Sequence, residues 1–186
     1  METCQEHRSG PAQTTVGHDG AVKYTTVDSP VGPLLLTRST VGLAGLSMSP
    51  HLHWDGPPEG WSPDADGFAD VIGQLEAYWA GEQQVFDLPL DLRGTAFQQS
   101  VWAALLEIPY GSTTSYGAIA SRLGVPGASR AVGLANGRNP VSIVVPCHRV
   151  VGATGLLTGY GGGLPNKRFL LNHEATHSPE VSLTLF

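Results

Sequence analysis

Two short helical segments joined by a glycine-containing turn constrain the fold of this chain most. Residues 116–123 and 128–136 have helical character, and Gly124-Val125-Pro126-Gly127 lies between them. Ser115 is a suitable N-cap for the first segment, because its hydroxyl can accept a hydrogen bond from a free backbone N–H. The pattern is typical of a helix-turn-helix, although similar pairs also occur as ordinary core packing. The sequence therefore leaves a DNA-binding and a purely structural role open at this point.

The second helical segment is unusually rich in small residues. Arg130 is its one long cationic side chain, and the small residues are Ala128, Ser129, Ala131, Gly133, Ala135 and Gly137. A glycine inside a helix costs about 1 kcal/mol relative to alanine. Small residues at that cost indicate close approach to a neighbouring helix or to a ligand. Tight helix packing accounts for Gly133 and Ala135, but it does not account for Arg130.

Strand and turn patterns dominate the first half of the chain. Residues 24–27 and 34–37 are strand-like and flank a turn-forming segment, which predicts a hairpin, and residues 41–48 predict another strand. Residues 49–64 contain four prolines and are predicted to be a loop. Residues 1–20 are polar and without periodicity, so we predict a disordered tail.

A helix and a further strand are predicted to complete this half. Apolar residues recur at helical spacing and predict a helix; they are Phe68, Val71, Ile72, Leu75 and Trp79. Gly81 stands where the cap of this helix is expected. Alternating apolar residues then predict a strand, and they are Phe86, Leu88, Leu90 and Leu92. Arg93-Gly94 is the predicted boundary between two modules, and Thr95 is a plausible N-cap for the helix that follows it. The predicted organisation is a tail (1–20), an N-terminal module (21–92) and a C-terminal module (93–186).

The net charge of the chain changes sign at the same boundary. Residues 1–92 carry three Lys/Arg against thirteen Asp/Glu, a net charge of −10, whereas residues 93–186 carry seven against three, a net charge of +4. A basic module is suited to phosphate binding, although two solvated faces of opposite sign would give the same numbers. No apolar run approaches the roughly 18 residues of a membrane span, so we expect no membrane association. Two cysteines and no secretory signal favour a reduced, cytoplasmic location.

The candidate reactive group is Cys147. Residues 141–145 form a β-branched run that predicts a buried strand, and Pro146 ends it. His148 and Arg149 follow the cysteine directly and can favour a thiolate. Glu174 can orient the histidine, which in turn can take the thiol proton. The alternative is an inert cysteine that packs as a small apolar residue.

A glycine-rich segment lies between the cysteine and the glutamate. Residues 158–163 read Thr-Gly-Tyr-Gly-Gly-Gly and lack the Lys-Ser/Thr ending of a P-loop. The segment is compatible with a phosphate cradle, with a lid that closes over a flat ligand, or with an ordinary exposed loop.

These motifs in this order resemble the O6-alkylguanine-DNA alkyltransferases. The resemblance covers residues 93–175 densely, whereas over residues 21–92 only the general outline of the family matches. It rests on Val144-Val145-Pro146-Cys147-His148-Arg149-Val150, Ser115-Tyr116, Ser129-Arg130-Ala131-Val132-Gly133, Arg138-Asn139-Pro140 and Tyr160-Gly161-Gly162-Gly163. It implies an α/β (α+β) fold, in which a small α/β module on an antiparallel sheet precedes a mostly helical module with a helix-turn-helix.

The resemblance implies a reaction centre built on three residues. Cys147 resembles the acceptor that takes the alkyl group from O6 of guanine in one irreversible step. His148 resembles the base that deprotonates it through a water, and Glu174 resembles the residue that holds the imidazole. The reaction is expected to need no cofactor and no catalytic metal. Cys4, His7, His51 and His53 show no convincing zinc spacing, so we expect no structural metal either.

The resemblance also implies residues that bind DNA and guanine. Tyr116 resembles the residue that assists nucleotide rotation, and Arg130 resembles the side chain that enters the base stack where the extruded base left. Asn139 resembles the side chain that braces the turn between the recognition helix (residues 128–136) and the active-site strand. Arg149 is placed with these DNA-binding residues. The main-chain carbonyls of Cys147 and Val150 are expected to accept from guanine, and Tyr160 with the N–H of Gly161 is expected to close over it.

The implied partner is double-stranded DNA containing O6-alkylguanine, bound through the minor groove by a monomer that can cluster on DNA. Two other functions stay open. Some relatives recognise alkylated bases without reacting, but they have tryptophan in place of the cysteine, whereas Cys147 is present here. A Cys–His hydrolase would leave the second helical segment, with its small residues and Arg130, unexplained. The sequence also shows no evident oxyanion site for such an enzyme.

Overall fold

The computed structural model describes residues 22–48 and 57–178. The predicted disordered tail, residues 1–20, lies outside these ranges. So do the four residues considered for a metal site, Cys4, His7, His51 and His53.

The N-terminal half, residues 22–92, is built on a four-stranded sheet. Its strands are β1 (Val22–Val27), β2 (Leu34–Arg38), β3 (Leu43–Met48) and β4 (Trp61–Pro63), in the order β3-β2-β1-β4. The predicted hairpin is present, because β1 and β2 pair antiparallel, and β3 continues the antiparallel sheet. The short strand β4 pairs parallel to β1 within the segment predicted to be a loop. This strand is only three residues long and ends at Pro63.

The predicted helix of this half is α1 (Ala69–Trp79), preceded by a 3-10 turn. Its buried residues recur at helical spacing and are Val71, Leu75 and Tyr78. Gly81 follows the helix with φ of 77°, a left-handed conformation that glycine adopts without strain. A side chain at this position would also collide with the ring of His177.

Residues 86–92 do not form the strand that their alternation predicts. Leu90 makes a single bridge to Leu43, in which the Leu43 N–H donates to the Pro89 carbonyl and the Asp91 N–H donates to the Leu43 carbonyl. Pro89 has no N–H to offer and interrupts the ladder. The segment is therefore a connection that touches the sheet at one point.

The C-terminal half, residues 93–178, is mostly helical, as predicted. Its helices are α2 (Ala96–Leu106), α3 (Tyr116–Arg122), α4 (Ser129–Gly137) and α5 (Leu164–His177). Thr95 caps α2 in a reciprocal capping box with Gln98, and Ser115 caps α3 by accepting from the Ala118 N–H. A small parallel sheet pairs β5 (Thr114–Ser115) with β6 (Val150–Val151). Helices α3 and α4 pack against each other across the predicted turn and form the helix-turn-helix.

The β-branched run 141–145 is buried, but it is a turn rather than a strand. Ile143 has φ of 71°, a strained conformation for a β-branched residue, and the Val145 N–H donates to the Val141 carbonyl. Only Val141 pairs with the sheet, through a bridge to Leu46 of β3. Turn geometry here redirects the chain so that Cys147 begins a 3-10 turn over residues 147–149.

One apolar core joins the two halves. Side chains from the sheet, α1, α2, α4 and the 141–147 turn belong to the same buried cluster. Among the described residues, no helix has the length and apolar character needed to cross a bilayer.

Candidate active site

A cavity of about 640 Å³ opens beside the helix-turn-helix. It lies between α4, the start of α3, the turn that carries Cys147 and the glycine-rich segment. Its lining residues are Tyr116, Arg130, Gly133, Leu134, Asn136, Gly137, Asn139, Ser142, Cys147, Thr158, Gly159, Tyr160 and Gly161. The cavity therefore brings together residues of all five sequence motifs on which the resemblance rests.

Cys147 lines this cavity and is only 4% exposed. Burial raises the pKa of its thiol, because a thiolate loses hydration there. Hydrogen bonding by the side chains of Asn139 and Ser142, together with the charge of Lys167, opposes that rise. The thiol is thus kept protonated at rest, in surroundings that can stabilise its anion.

Behind Cys147, a buried network joins His148, Glu174 and Arg149. His148 Nε2 lies 2.7 Å from Glu174 Oε1, and both residues are fully buried. Arg149 donates to both carboxylate oxygens, from Nε to Oε2 at 2.8 Å and from Nη2 to Oε1 at 3.0 Å. Burial would raise the pKa of Glu174, but the hydrogen bonds and charges of His148 and Arg149 outweigh it and lower the pKa to about 2. The carboxylate is ionised, so Nε2 of His148 carries the shared proton.

The other imidazole nitrogen of His148 is the available base. Nδ1 is buried and has no hydrogen-bond partner among the described residues. Burial lowers the pKa of the imidazole, although the Glu174 carboxylate works in the opposite direction. A neutral imidazole that donates from Nε2 has its lone pair on Nδ1. His148 can therefore accept a proton at Nδ1 while Glu174 holds the ring in place.

The structure contradicts the prediction that Arg149 binds DNA. Arg149 is 6% exposed, pairs with Glu174 and also donates from Nη1 to the Ile108 carbonyl. A guanidinium with buried partners on three atoms is not available to a phosphate. Its neighbour Glu174 explains this position, since a buried carboxylate needs a paired charge.

Two of the residues predicted to bind DNA, Arg130 and Tyr116, lie at the cavity mouth. Arg130 is exposed near the start of α4, and no described residue forms an ion pair with it. Tyr116 starts α3, and its hydroxyl accepts a hydrogen bond from Thr158 Oγ1 at 3.2 Å. Leu134, four residues after Arg130 on the same helix, is 70% exposed. The cavity mouth thus combines a free cation, an aromatic ring and an exposed apolar side chain.

Two asparagines connect α4 to the turn that carries the cysteine. Asn139 donates from Nδ2 to the Val145 carbonyl at 2.7 Å and accepts from the Val141 N–H at 3.0 Å. Asn136 donates to the main-chain carbonyl of Cys147 at 3.3 Å. Asn139 therefore spans the 141–145 turn, and Asn136 adds a contact that sequence reasoning missed.

The predicted guanine-contacting residues are only partly brought together. Tyr160 and Gly161 line the cavity, and burial followed by the nearby Cys147 raises the pKa of the Tyr160 hydroxyl. Val150 lies outside the lining and is fully buried in β6. Its carbonyl accepts a hydrogen bond from Lys167 Nζ at 2.6 Å.

Lys167 is a second residue that sequence reasoning missed. It is fully buried on α5, donates to the carbonyls of Val150 and Thr158, and its charge lowers the pKa of the Cys147 thiol. A signal was present in the sequence. Lys167, Leu170 and Glu174 recur at i, i+3 and i+7, which places them on one face of a helix.

Comparison with known proteins shows which proteins this chain is similar to. The family model for the "6-O-methylguanine DNA methyltransferase, ribonuclease-like domain" matches residues 22–92, and the model for the "DNA binding domain" of the same family matches residues 96–176. The methylated-DNA–protein-cysteine methyltransferase of Mycobacterium tuberculosis is 54% identical over 165 residues, which cover 89% of this chain and 99% of the relative. The Methanosarcina acetivorans protein of the same name is 50% identical over 153 residues, 82% and 98% of the two chains. A crystal structure of Mycobacterium tuberculosis OGT in complex with DNA aligns with a TM-score of 0.77 and 55% identity over 86% of this chain and 97% of that one.

Proposed function

Because the chain belongs to the 6-O-methylguanine DNA methyltransferase family, we propose that it repairs DNA by moving an alkyl group from O6 of guanine to its own Cys147. It is a methylated-DNA–protein-cysteine methyltransferase, and its substrate is the damaged duplex rather than a free metabolite. The reaction uses the thiol of the protein as a stoichiometric acceptor.

The observation that carries this proposal is the arrangement on the two sides of Cys147. On one side, the cavity leads from the thiol to the exposed Arg130 of α4. On the other side, His148 and Glu174 form a buried, hydrogen-bonded pair. A thiol with an adjacent base and an open approach from a cationic helix fits attack on an extruded nucleotide.

The proposed reaction is a single displacement. A water carries the Cys147 proton to His148 Nδ1, and Glu174 stabilises the imidazolium that results. The thiolate sulfur then bonds to the alkyl carbon while the carbon–O6 bond breaks, and guanine leaves with the bonding electrons on O6. The proton held by His148 is available to neutralise this charge through solvent. The thioether has no leaving group for a return attack, so each molecule reacts once.

Reaching O6 requires the nucleotide to leave the duplex. Flipping a base costs a few kcal/mol, and a side chain that fills the gap offsets part of that cost. We assign this role to Arg130, and we assign rotation of the target nucleotide to Tyr116. The small residues of α4 let its backbone approach the minor groove closely, where sequence readout is poor. A repair protein that inspects every guanine needs this low sequence selectivity.

The finer features of the partner belong to the same proposal. We propose O6-alkylguanine in double-stranded DNA as the specific substrate, bound by a monomer that can cluster on DNA. The predicted boundary at Arg93-Gly94 separates the DNA-binding module, residues 93–186, from the acidic N-terminal module. Cys147 is a free cysteine, and a thiol acceptor requires a reducing compartment, which supports a cytoplasmic location.

A turnover experiment tests this function. The protein is incubated with excess duplex that contains O6-methylguanine, and the repaired guanine is quantified over time. We expect the yield to stop at one repaired guanine per protein molecule, and Cys147→Ser to give none while it still binds the duplex. Continued turnover would indicate a hydrolase, and binding without any repair by the unaltered protein would indicate a damage sensor.

A further inference from the structure

A tyrosine of the N-terminal half donates directly to the buried carboxylate of the reaction centre. Tyr78 lies on α1, and its hydroxyl is 2.9 Å from Glu174 Oε1. This oxygen is the one that also accepts from His148 Nε2. Tyr78 is fully buried, and it is the only described residue of the N-terminal half with a hydrogen bond to Glu174.

The hydroxyl of Tyr78 can act only as a donor in this position. Burial and the negative charge of Glu174 both raise the pKa of Tyr78, so the phenol stays protonated. Its carboxylate partner is ionised and can only accept. The remaining donors to Glu174 are the guanidinium of Arg149 and the Gly111 N–H, which reaches Oε2 at 3.1 Å.

We propose that Tyr78 is a positioning residue that holds the shared proton on His148 by weakening Glu174 as a proton acceptor. This inference rests on the proposed function, because it concerns the base that activates Cys147. Each donor to a carboxylate disperses its charge and makes it a weaker base. With its oxygens occupied, Glu174 orients the imidazole without removing its Nε2 proton, and Nδ1 remains the basic nitrogen.

Other titratable groups surround the pair, and a test must separate them from Tyr78. The groups that face His148 and Glu174 are Arg149 on the same turn, Tyr110 after α2, Lys167 on α5 and Tyr160 of the glycine-rich segment. The ring of His173 also packs against Tyr78, with 5.2 Å between the ring centroids. Tyr110 offers a matched control. Its hydroxyl is buried and has no hydrogen-bond partner among the described residues, and its ring lies 6.0 Å from that of Tyr78.

The test compares Tyr78→Phe with Tyr110→Phe, because both variants keep the aromatic ring. Without the Tyr78 hydroxyl, Glu174 stabilises the imidazolium form of His148 more strongly. We expect the acidic limb of the pH–rate profile for methyl transfer to move to higher pH by about 0.5–1 unit in Tyr78→Phe. The profile of Tyr110→Phe should match that of the unaltered protein. An unchanged profile in Tyr78→Phe, or equal displacement in both variants, would overturn the proposal and leave Tyr78 with a structural role.

A second variant keeps the test decisive if Tyr78→Phe does not fold. Replacing Tyr78 by 3-fluorotyrosine retains the shape and makes the hydroxyl a stronger donor. The acidic limb should then move in the opposite direction, to lower pH, and movement to higher pH or no movement would contradict the proposal.

Alkylation of Cys147 by iodoacetamide separates this inference from the proposed function. The reagent needs no guanine pocket, but it depends on the same imidazole. A displaced iodoacetamide profile in Tyr78→Phe, with no methyl transfer by the unaltered protein, would refute only the proposed function. Methyl transfer by the unaltered protein, with identical iodoacetamide profiles in all variants, would refute only the role of Tyr78.

Discussion

Arg149 donates two hydrogen bonds to the carboxylate of Glu174, one to each oxygen, in the protein interior. Planar, two-point pairing of this kind suits arginine and is not reproduced by a single point charge. The pair fixes the end of α5 against the turn that carries Cys147 and His148. Arg149 thus supports the reaction centre from behind, away from the cavity mouth.

Removing Arg149 should destabilise the fold. Arg149→Met leaves a buried carboxylate without its main counter-charge, and we expect a loss of about 3–5 kcal/mol in the free energy of unfolding. Arg138→Met is the matched control, because Arg138 is exposed and forms no ion pair with a described residue. It should change stability by less than about 0.5 kcal/mol. Urea unfolding measures both, and equal small losses would mean that the buried pair contributes little.

Low pH should reduce the free energy of unfolding, because it protonates Glu174. Its pKa in the folded protein is about 2, below its ordinary value of 4.5, so the unfolded chain binds the proton more tightly. The stabilising contribution is therefore complete above about pH 4.5 and is lost as the pH falls toward 2. Urea unfolding across this range should show a smaller loss of stability in Glu174→Gln than in the unaltered protein. Glu82→Gln, at an exposed carboxylate that forms no ion pair with a described residue, should keep the original pH dependence, and the same dependence in all three proteins would exclude Glu174 as its source.

The buried lysine should control the reactivity of the thiol. Lys167→Met removes the positive charge that lowers the pKa of Cys147, so less thiolate is present at neutral pH. We expect iodoacetamide to react about 3–10 times more slowly with Cys147, which corresponds to a pKa rise of about 0.5–1 unit. Arg168→Met changes the adjacent, exposed cation and serves as the control. Equal rates in the two variants would show that the charge of Lys167 does not reach the thiol.

Arg130 should matter for duplex DNA and much less for a free base. If its side chain fills the gap left by the flipped nucleotide, Arg130→Ala should slow repair of a duplex at least about tenfold, equivalent to about 1.4 kcal/mol. Reaction with free O6-benzylguanine should be nearly unchanged. Single-turnover rates on both substrates provide the measurement. Equal losses on the two substrates would assign Arg130 a structural role instead.

Leu134 provides a neutral comparison on the same helix. Its exposed side chain is expected to pack against the minor groove, so Leu134→Ala should weaken duplex binding. Because no charge is removed, the salt dependence of binding should stay the same, whereas Arg130→Ala should make it shallower.

Local signals in the sequence predicted the helical elements well. Ser115 and Thr95 cap their helices as expected, because a capping interaction involves residues only three apart. Gly81 follows α1 for a reason that is equally local. Leu90 and Val141 behaved differently. Each makes one bridge to β3, and the long-range position of that strand edge, together with Pro89 and the strained Ile143, decided their conformation.

Most of the reaction centre was predictable from the sequence. Cys147 and His148 are adjacent in the family motif, and the structure pairs His148 with Glu174, the carboxylate that the sequence analysis proposed to orient it. The partner of Arg149 could not be deduced from its place in the same motif, because a positive charge is compatible with a phosphate or with a buried carboxylate. Tyr78 gave no sequence signal at all, since 96 residues separate it from Glu174 and its spacing in α1 indicates only a buried face.

The most direct test of the account is the mass of the peptide that contains Cys147 after incubation with one equivalent of duplex bearing O6-methylguanine. We predict that this peptide gains the mass of one methyl group, that no other peptide changes, and that the guanine in the DNA is restored. An unmodified Cys147 peptide alongside restored guanine, or a methyl group on a different residue, would contradict the assignment of Cys147 as the acceptor.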